Sequence, residues 1–307
     1  MTRNAGQRWR KYHGLGNDYL IPLDREEATP DTVDPALVQR VCHPHYGLGS
    51  DGILYGPYPP GSPFFQRLGQ PGALCAFRIL NPDGSEAEKS GNGVRIFARY
   101  LWDEGLVSLG VPFTLATLGG AVTCFIHDPR KAIQAQMGEV SFASHCIPVA
   151  GPAREVLRES LRLPGETAPL LFCAATVGNP HCVVLLDTPP TRELALRLGP
   201  LLESHPLFPH RTNVQFLHRL DEHGVQVEIY ERGAGYTLAS GTSATACAAV
   251  AVRLGLCHSP VTVKMPGGSL EISLDSHFSA TLTGPVECVY EAELFLESPA
   301  SAPPPSP

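Results

Sequence analysis

Short β-type runs recur along the chain, several of them alternating apolar and polar residues: VTCFIHD from Val122, IQAQMGEVSF from Ile133, HCVVLLD from His181 and NVQFLHRL from Asn213. GVQVEIYER from Gly224, VTVKMP from Val261, LEISLD from Leu270 and FSATLTG from Phe278 continue the series. A period of two with one polar face is the signature of half-buried antiparallel strands. Helical periodicity is rarer and predicts helices over about 34 to 43, 91 to 104, 153 to 162, 190 to 204 and 242 to 255. The fold class is therefore α+β with a strand-rich majority.

The two longest predicted helices share an approach. NPDGSEAEKSGNG leads from Asn81 into the helix near 91, and ERGAGYTLASGTS leads from Glu231 into the helix near 242, each with a serine just before the first turn. Such a strand, small-residue turn and helix start in each half suggests an internal duplication with a break near residue 140. Taken singly, Ser90 and Ser240 read as N-caps, because serine is a preferred cap. Taken together, SGNG and SGTS offer two helix N-termini whose free N–H groups and positive dipole ends suit a carboxylate, with glycine allowing close approach. Two such ends facing each other would enclose a small anion.

Composition narrows the partners. The 307 residues carry a net charge of −7 and no polybasic run, so neither nucleic acid nor an anionic membrane surface is expected as a partner. No apolar stretch reaches the roughly 20 residues a membrane span needs, and the N-terminus lacks a secretion-signal core, which reads as cytoplasmic. The nine cysteines are scattered without a C-x-x-C pair and read as buried small hydrophobes, so no metal site is expected. There is no P-loop or dinucleotide fingerprint, and no cofactor is expected. The last residues, ESPASAPPPSP, have no apolar periodicity and read as a disordered tail.

The motifs KYHGLGNDYL (11 to 20), GLGSDGILYG (47 to 56), NPDGSEAEKSGNGVRIFARYL (81 to 101), VGNPHCVV (177 to 184), RTNVQF (211 to 216), YERGAGYTLASGTS (230 to 243) and GPVECVY (284 to 290) stand in one order along the chain. In that order they resemble the diaminopimelate epimerase family of cofactor-independent amino-acid epimerases and racemases. The resemblance implies two pseudo-symmetric α/β domains, each a twisted, barrel-like mixed sheet around a central helix, with the active site in the cleft between them. It implies residues 1–139 plus 287–298 as one domain, 140–286 as the other, and 299–307 as the tail. A homodimer is expected on the same ground.

In that family two cysteines face the substrate α-carbon, one as thiolate base and the other as thiol acid, a role suited to a group with a reference pKa of roughly 8.5. The matching positions here are Ser90 and Ser240, and neither Cys182 nor Cys247 matches. By the same resemblance Asn17, Asn81, Asn179 and Asn213 bind substrate, with Gly91, Asn92, Gly241 and Thr242 at the helix starts. Glu231 and Arg232 match the pair that holds the distal ammonium and carboxylate, while His181 and Glu231 match groups that tune the thiols. Read without the resemblance, the asparagines are turn residues, His181 a structural histidine and Glu231 and Arg232 a solvated strand end. Tyr236 stands where the family commonly has glutamate, and Gly52 where some members have glutamine.

Three functions follow. The first is a diaminopimelate epimerase-like epimerase or racemase, independent of pyridoxal phosphate, acting on an amino acid of lysine and peptidoglycan biosynthesis, with its activity lost or altered by the two serines. The second is a dehydratase or isomerase in the same cleft, with His181 or Glu231 as base. The third is an amino-acid-binding homologue without catalysis.

Overall fold

The computed structural model describes residues 6–24, 33–166 and 168–295. A hairpin of Gln7–Gly14 (β1) and Asn17–Pro22 (β2) leads through helix Pro35–Cys42 (α1) to Ile53–Tyr58 (β3). Helix Pro63–Leu68 (α2), Cys75–Leu80 (β4) and the short Glu86–Ala87 (β5) follow. Helix Gly91–Asp103 (α3) then carries the chain to Phe113–Thr117 (β6), Gly120–Asp128 (β7) and Ala132–Glu139 (β8). The second half begins with Glu159–Leu161 (β9), Leu170–Thr176 (β10), Pro180–Leu186 (β11), helix Arg192–Glu203 (α4) and Asn213–Arg219 (β12). It continues with Gly224–Glu231 (β13), Gly235–Thr237 (β14), helix Gly241–Arg253 (α5), Val261–Met265 (β15), Gly268–Leu274 (β16), Ser279–Gly284 (β17) and Glu287–Leu294 (β18).

Strand pairing shows the duplication. β1 runs antiparallel to β2, β2 parallel to β3, β3 antiparallel to β4 and β4 parallel to β6, with β7 and β8 antiparallel beyond. β10, β11, β12, β13, β15, β16 and β17 repeat the same order of senses. Each parallel step needs a crossover, and α1, α3, α4 and α5 supply them. β18 lies antiparallel on β1 as β9 does on β10, and β8 joins β17 across the halves. The molecule is two α/β halves, each a mixed sheet around one helix.

Those two central helices are buried on every side: α3 from Gly91 to Leu101, and α5 at Gly241 and from Ser243 to Ala251. α5, rich in alanine, has the all-round apolar surface of a helix that must lie inside, and it packs against β10 to β13 and β15 to β17. α3 fills its sheet with larger groups, among them Phe97 stacked on Phe77 at 4.2 Å. Burying such a side chain stabilises by about 1.5–3 kcal/mol. Both helices stop identically: Gly105 and Gly255 take left-handed φ of 70° and 68°, and Leu106 and Leu256 donate back to Leu101 and Ala251.

The helix expected over 153 to 162 is absent. Arg158 has a left-handed φ of 51°, which no helix accommodates, and the segment ends instead in β9. The other four expected helices form, as do the eight β-type runs, while α2 and the strands β1 to β4, β6 and β10 were not expected. The tail expected over 299–307 lies outside the described residues.

Candidate active site

Ser90 and Ser240 are both N-caps, in extended conformation at φ −140° and −144°, with Oγ accepting from Gly93 N at 3.0 Å and from Ser243 N at 3.4 Å. The capping reading therefore holds, and the two caps also face one cleft. At its floor the helix starts abut: a Cβ on Gly241 would come within 3.1 Å of Gly91 Cα, and a Cβ on Gly91 within 3.3 Å of Gly241 Cα. Only glycine at both positions lets the two positive dipole ends converge.

The cleft above this junction has a volume of about 750 Å³, and an adjoining lobe of about 460 Å³ shares part of its wall. Ser90, Ser240, Gly91, Asn92, Gly241, Thr242, Asn17, Asn81, Asn179, Glu231 and Arg232 all line the main space. Asn213 lines only the adjoining lobe. Its amide is committed to the backbone, donating to Pro180 O at 2.9 Å and accepting from Arg232 N at 3.0 Å.

On the α3 side the polar groups form a chain. Asn92 Nδ2 donates to Asn17 Oδ1 at 3.1 Å, and Asn17 Nδ2 donates to Asp51 Oδ2 at 3.0 Å. Beneath them the buried Arg95 donates to Gly91 O at 3.1 Å and to Asn92 Oδ1 at 3.0 Å. Burial pushes Arg95 down to about 9, so it remains a cation at neutral pH. Its Nε is a buried donor with no partner among the described residues. Tyr19 OH lies 3.3 Å from Ser90 Oγ. The Tyr19 ring also explains Gly52, since a Cβ there would meet Leu80 O at 2.5 Å and the ring at 2.9 Å.

On the α5 side Glu231 is half-buried, and desolvation raises its carboxyl pKa despite hydrogen bonds from Ser240 and Thr237. Tyr236 OH donates to Glu228 Oε2 at 2.7 Å, so tyrosine here satisfies a buried carboxylate.

His181 lines neither space. It is fully buried, Gln215 Nε2 donates to its Nδ1 at 3.1 Å, and its Nε2–H donates to Asn179 Oδ1 at 2.8 Å. Desolvation pushes it down to about 3, which keeps the imidazole neutral. That geometry supports Asn179 and leaves no route for His181 to touch a ligand in the cleft. Cys182 and Cys247 are fully buried, with thiols pushed well above the ordinary range, and both are far from a base's environment. The sequence did not single out Tyr19, Asp51 or Lys89, which also line the cleft.

Two like α/β halves with a cleft floored by their two opposed helix starts define the class of two-half epimerase and racemase folds. A hydroxyproline epimerase from Agrobacterium vitis, solved with bound trans-4-hydroxy-L-proline, has this fold: the TM-score is 0.65 at 15% identity, covering 97% of this chain and 95% of that one. The family model for diaminopimelate epimerase matches residues 9–143 and 173–289. "Diaminopimelate epimerase 2" of a Nostoc species is 50% identical over 287 residues, covering 94% of this chain and 95% of its own length. The diaminopimelate epimerase of Desulfitobacterium hafniense is 36% identical over 289 residues, covering 92% and 96%. The chain belongs to the diaminopimelate epimerase family.

Proposed function

We propose that this chain is an epimerase inverting the α-carbon of diaminopimelate between its LL and meso forms, a cytoplasmic, homodimeric enzyme of lysine biosynthesis. The observation that carries the reading is the junction of Gly91 and Gly241, which points two helix N-termini at one place and leaves Ser90 and Ser240 on its two sides. Free N–H groups there receive the substrate α-carboxylate and stabilise the charge that spreads onto it when the α-proton leaves. This is the work an electron sink such as pyridoxal phosphate performs elsewhere, and the reading needs no cofactor. Arg232, which lines both lobes, receives the distal carboxylate. The asparagines orient the remaining polar groups.

A serine hydroxyl cannot store a proton vacancy as a thiolate does, so each face needs a titrating group beside its serine. On the Ser240 face Glu231 is such a group, since it lines the same cleft as Ser240 and burial raises its pKa. The test is α-proton exchange in heavy water with LL- and meso-diaminopimelate, read by mass spectrometry, with Ser90→Cys/Ser240→Cys alongside. The native chain is expected to incorporate deuterium and the thiol form to do so faster. Absence of exchange from both, with every amino acid tried, would discard the epimerase reading.

A further inference from the structure

We propose that Lys89 is a catalytic residue, its amine taking and returning the α-proton on the Ser90 face of the cleft. The inference rests on the epimerase reading and supplies the group that reading lacks on one side. Lys89 directly precedes Ser90 and lines both the main cleft and the adjoining lobe. Its position is fixed rather than trailing in solvent. The turn between β6 and β7 packs on its stem, since a Cβ on Gly119 would meet Lys89 Cβ at 3.0 Å, and Lys89 Nζ donates to Met137 O at 2.7 Å. Met137 in turn packs its side chain against Gly91, the first residue of α3.

Among the described residues no carboxylate lies within ion-pair distance of the Lys89 ammonium, in contrast to Lys11, which pairs with Asp18. An amine held in a cleft without a counter-ion is the arrangement that favours its neutral, basic form, and burial indeed pushes its pKa down. At the same offset before the other serine stands Ala239, buried and inert. The two faces thus carry different titrating groups, an amine beside Ser90 and a carboxyl beside Ser240.

The step balances as follows. Neutral Lys89 Nζ accepts the α-proton, and the C–H bonding pair stays on the α-carbon, delocalised into the carboxylate at the helix ends. Ser240 Oγ–H gives its proton to the opposite face of the α-carbon and takes one from the Glu231 carboxylic acid. The product leaves a Lys89 ammonium and a Glu231 carboxylate, which are the starting states for the reverse reaction or are reset by exchange with water.

The experiment compares the native chain with Lys89→Arg and Lys89→Met for α-proton exchange in heavy water, with diaminopimelate affinity measured by calorimetry. Arginine keeps a cationic donor for Met137 O yet cannot give up its proton. Both variants are expected to lose exchange by about 100-fold or more while affinity changes by less than about threefold. Because the step needs neutral Lys89 together with a protonated Glu231 carboxyl, the native exchange rate should pass through a maximum in pH, with its rising limb below the ordinary lysine range. Native exchange rates in Lys89→Arg would overturn the assignment and leave the epimerase reading standing. No exchange from either the native chain or Ser90→Cys/Ser240→Cys overturns both, and exchange from the thiol form alone overturns the assignment of Lys89.

Discussion

The α3 and α5 ends of the cleft share a skeleton and differ in charge. Counted from its serine, each end has a glycine at the next position, a left-handed glycine fifteen residues on, and at the fifth position a side chain bonded to the first glycine's carbonyl. At α3 that side chain is the cation Arg95, and at α5 it is the neutral Thr245. Nine residues before the serine stand Asn81 and Glu231, and one before it Lys89 and Ala239. Tyr19 and His181 occupy the same place in the two hairpins, two residues after Asn17 and Asn179. Next to its serine the first end carries the cation Lys89, where the second carries the uncharged Ala239. The shared skeleton brings the two helix starts together, and the side chains hung on it differ from one end to the other.

The same logic holds for a pair further back. Arg78 and Glu86 form an ion pair in the first half, with Arg78 Nη2 2.6 Å from Glu86 Oε2, and the equivalent positions in the second half are Glu228 and Tyr236. Restoring a glutamate by Tyr236→Glu sets two carboxylates against each other at a buried site, where the raised pKa of Glu228 already reports desolvation. The expected loss is about 3 kcal/mol in urea unfolding. Adding Glu228→Arg recreates the first-half pair and should recover at least half of that loss. If Tyr236→Glu alone unfolds like the native chain, the equivalence of the two pairs is wrong.

A smaller effect is expected at the helix junction. Gly241→Ala meets the Gly91 backbone at 3.1 Å and Leu282 Cδ1 at 3.0 Å, whereas Gly91→Ala meets the flexible end of Met137 at 3.2 Å before it meets backbone at 3.3 Å. Overpacking costs about 1–3 kcal/mol, and Gly241→Ala should sit near the top of that range with Gly91→Ala near the bottom. Equal unfolding midpoints for the two variants would mean that the junction relaxes symmetrically.

Much of this arrangement was legible in the sequence, and what was not has identifiable causes. The paired serine turns carried the duplication, and β7, β8 and β15 to β17 were legible because buried and wetter positions alternate along them, whereas β11 and β12, each buried over five successive residues, were legible from Val183, Val184, Val214 and Phe216. β1 was hidden because Arg8, Arg10 and Lys11 each hold an acidic partner, and because a bulge between Lys11 and Tyr12 breaks the period between its buried residues Trp9 and Tyr12. β4 was hidden because five of its six residues are buried, which leaves no alternation to see. Arg158 misled the helical reading of 153 to 162 because a left-handed φ has no signature in an arginine. In the site, the motif order located the lining residues but placed His181 among them. Only the pairing of β11 with β12 shows that its ring points at Gln215, away from the cleft.

That burial supplies the mildest prediction and the last contrast between the halves. His181 is neutral in the folded protein, its pKa pushed down to about 3 from an ordinary 6.5, first by desolvation and further by the Arg232 charge. Between those values the unfolded chain binds a proton that the folded chain refuses, so stability must fall as pH falls through 6.5 and keep falling toward 3. Tyr19, at the same place in the first half, is raised to about 12 and stays uncharged throughout that window. The acid sensitivity of this position therefore belongs to the second half alone. His181→Gln removes the titrating group while keeping an amide that can bond Asn179. Over one pH unit below 6.5 the native chain should lose about 1 kcal/mol more than this variant. Parallel stability curves for the two proteins across that interval would show that the imidazole is solvated or charged in the folded state, and that the support beneath Asn179 is not the neutral, dry one described.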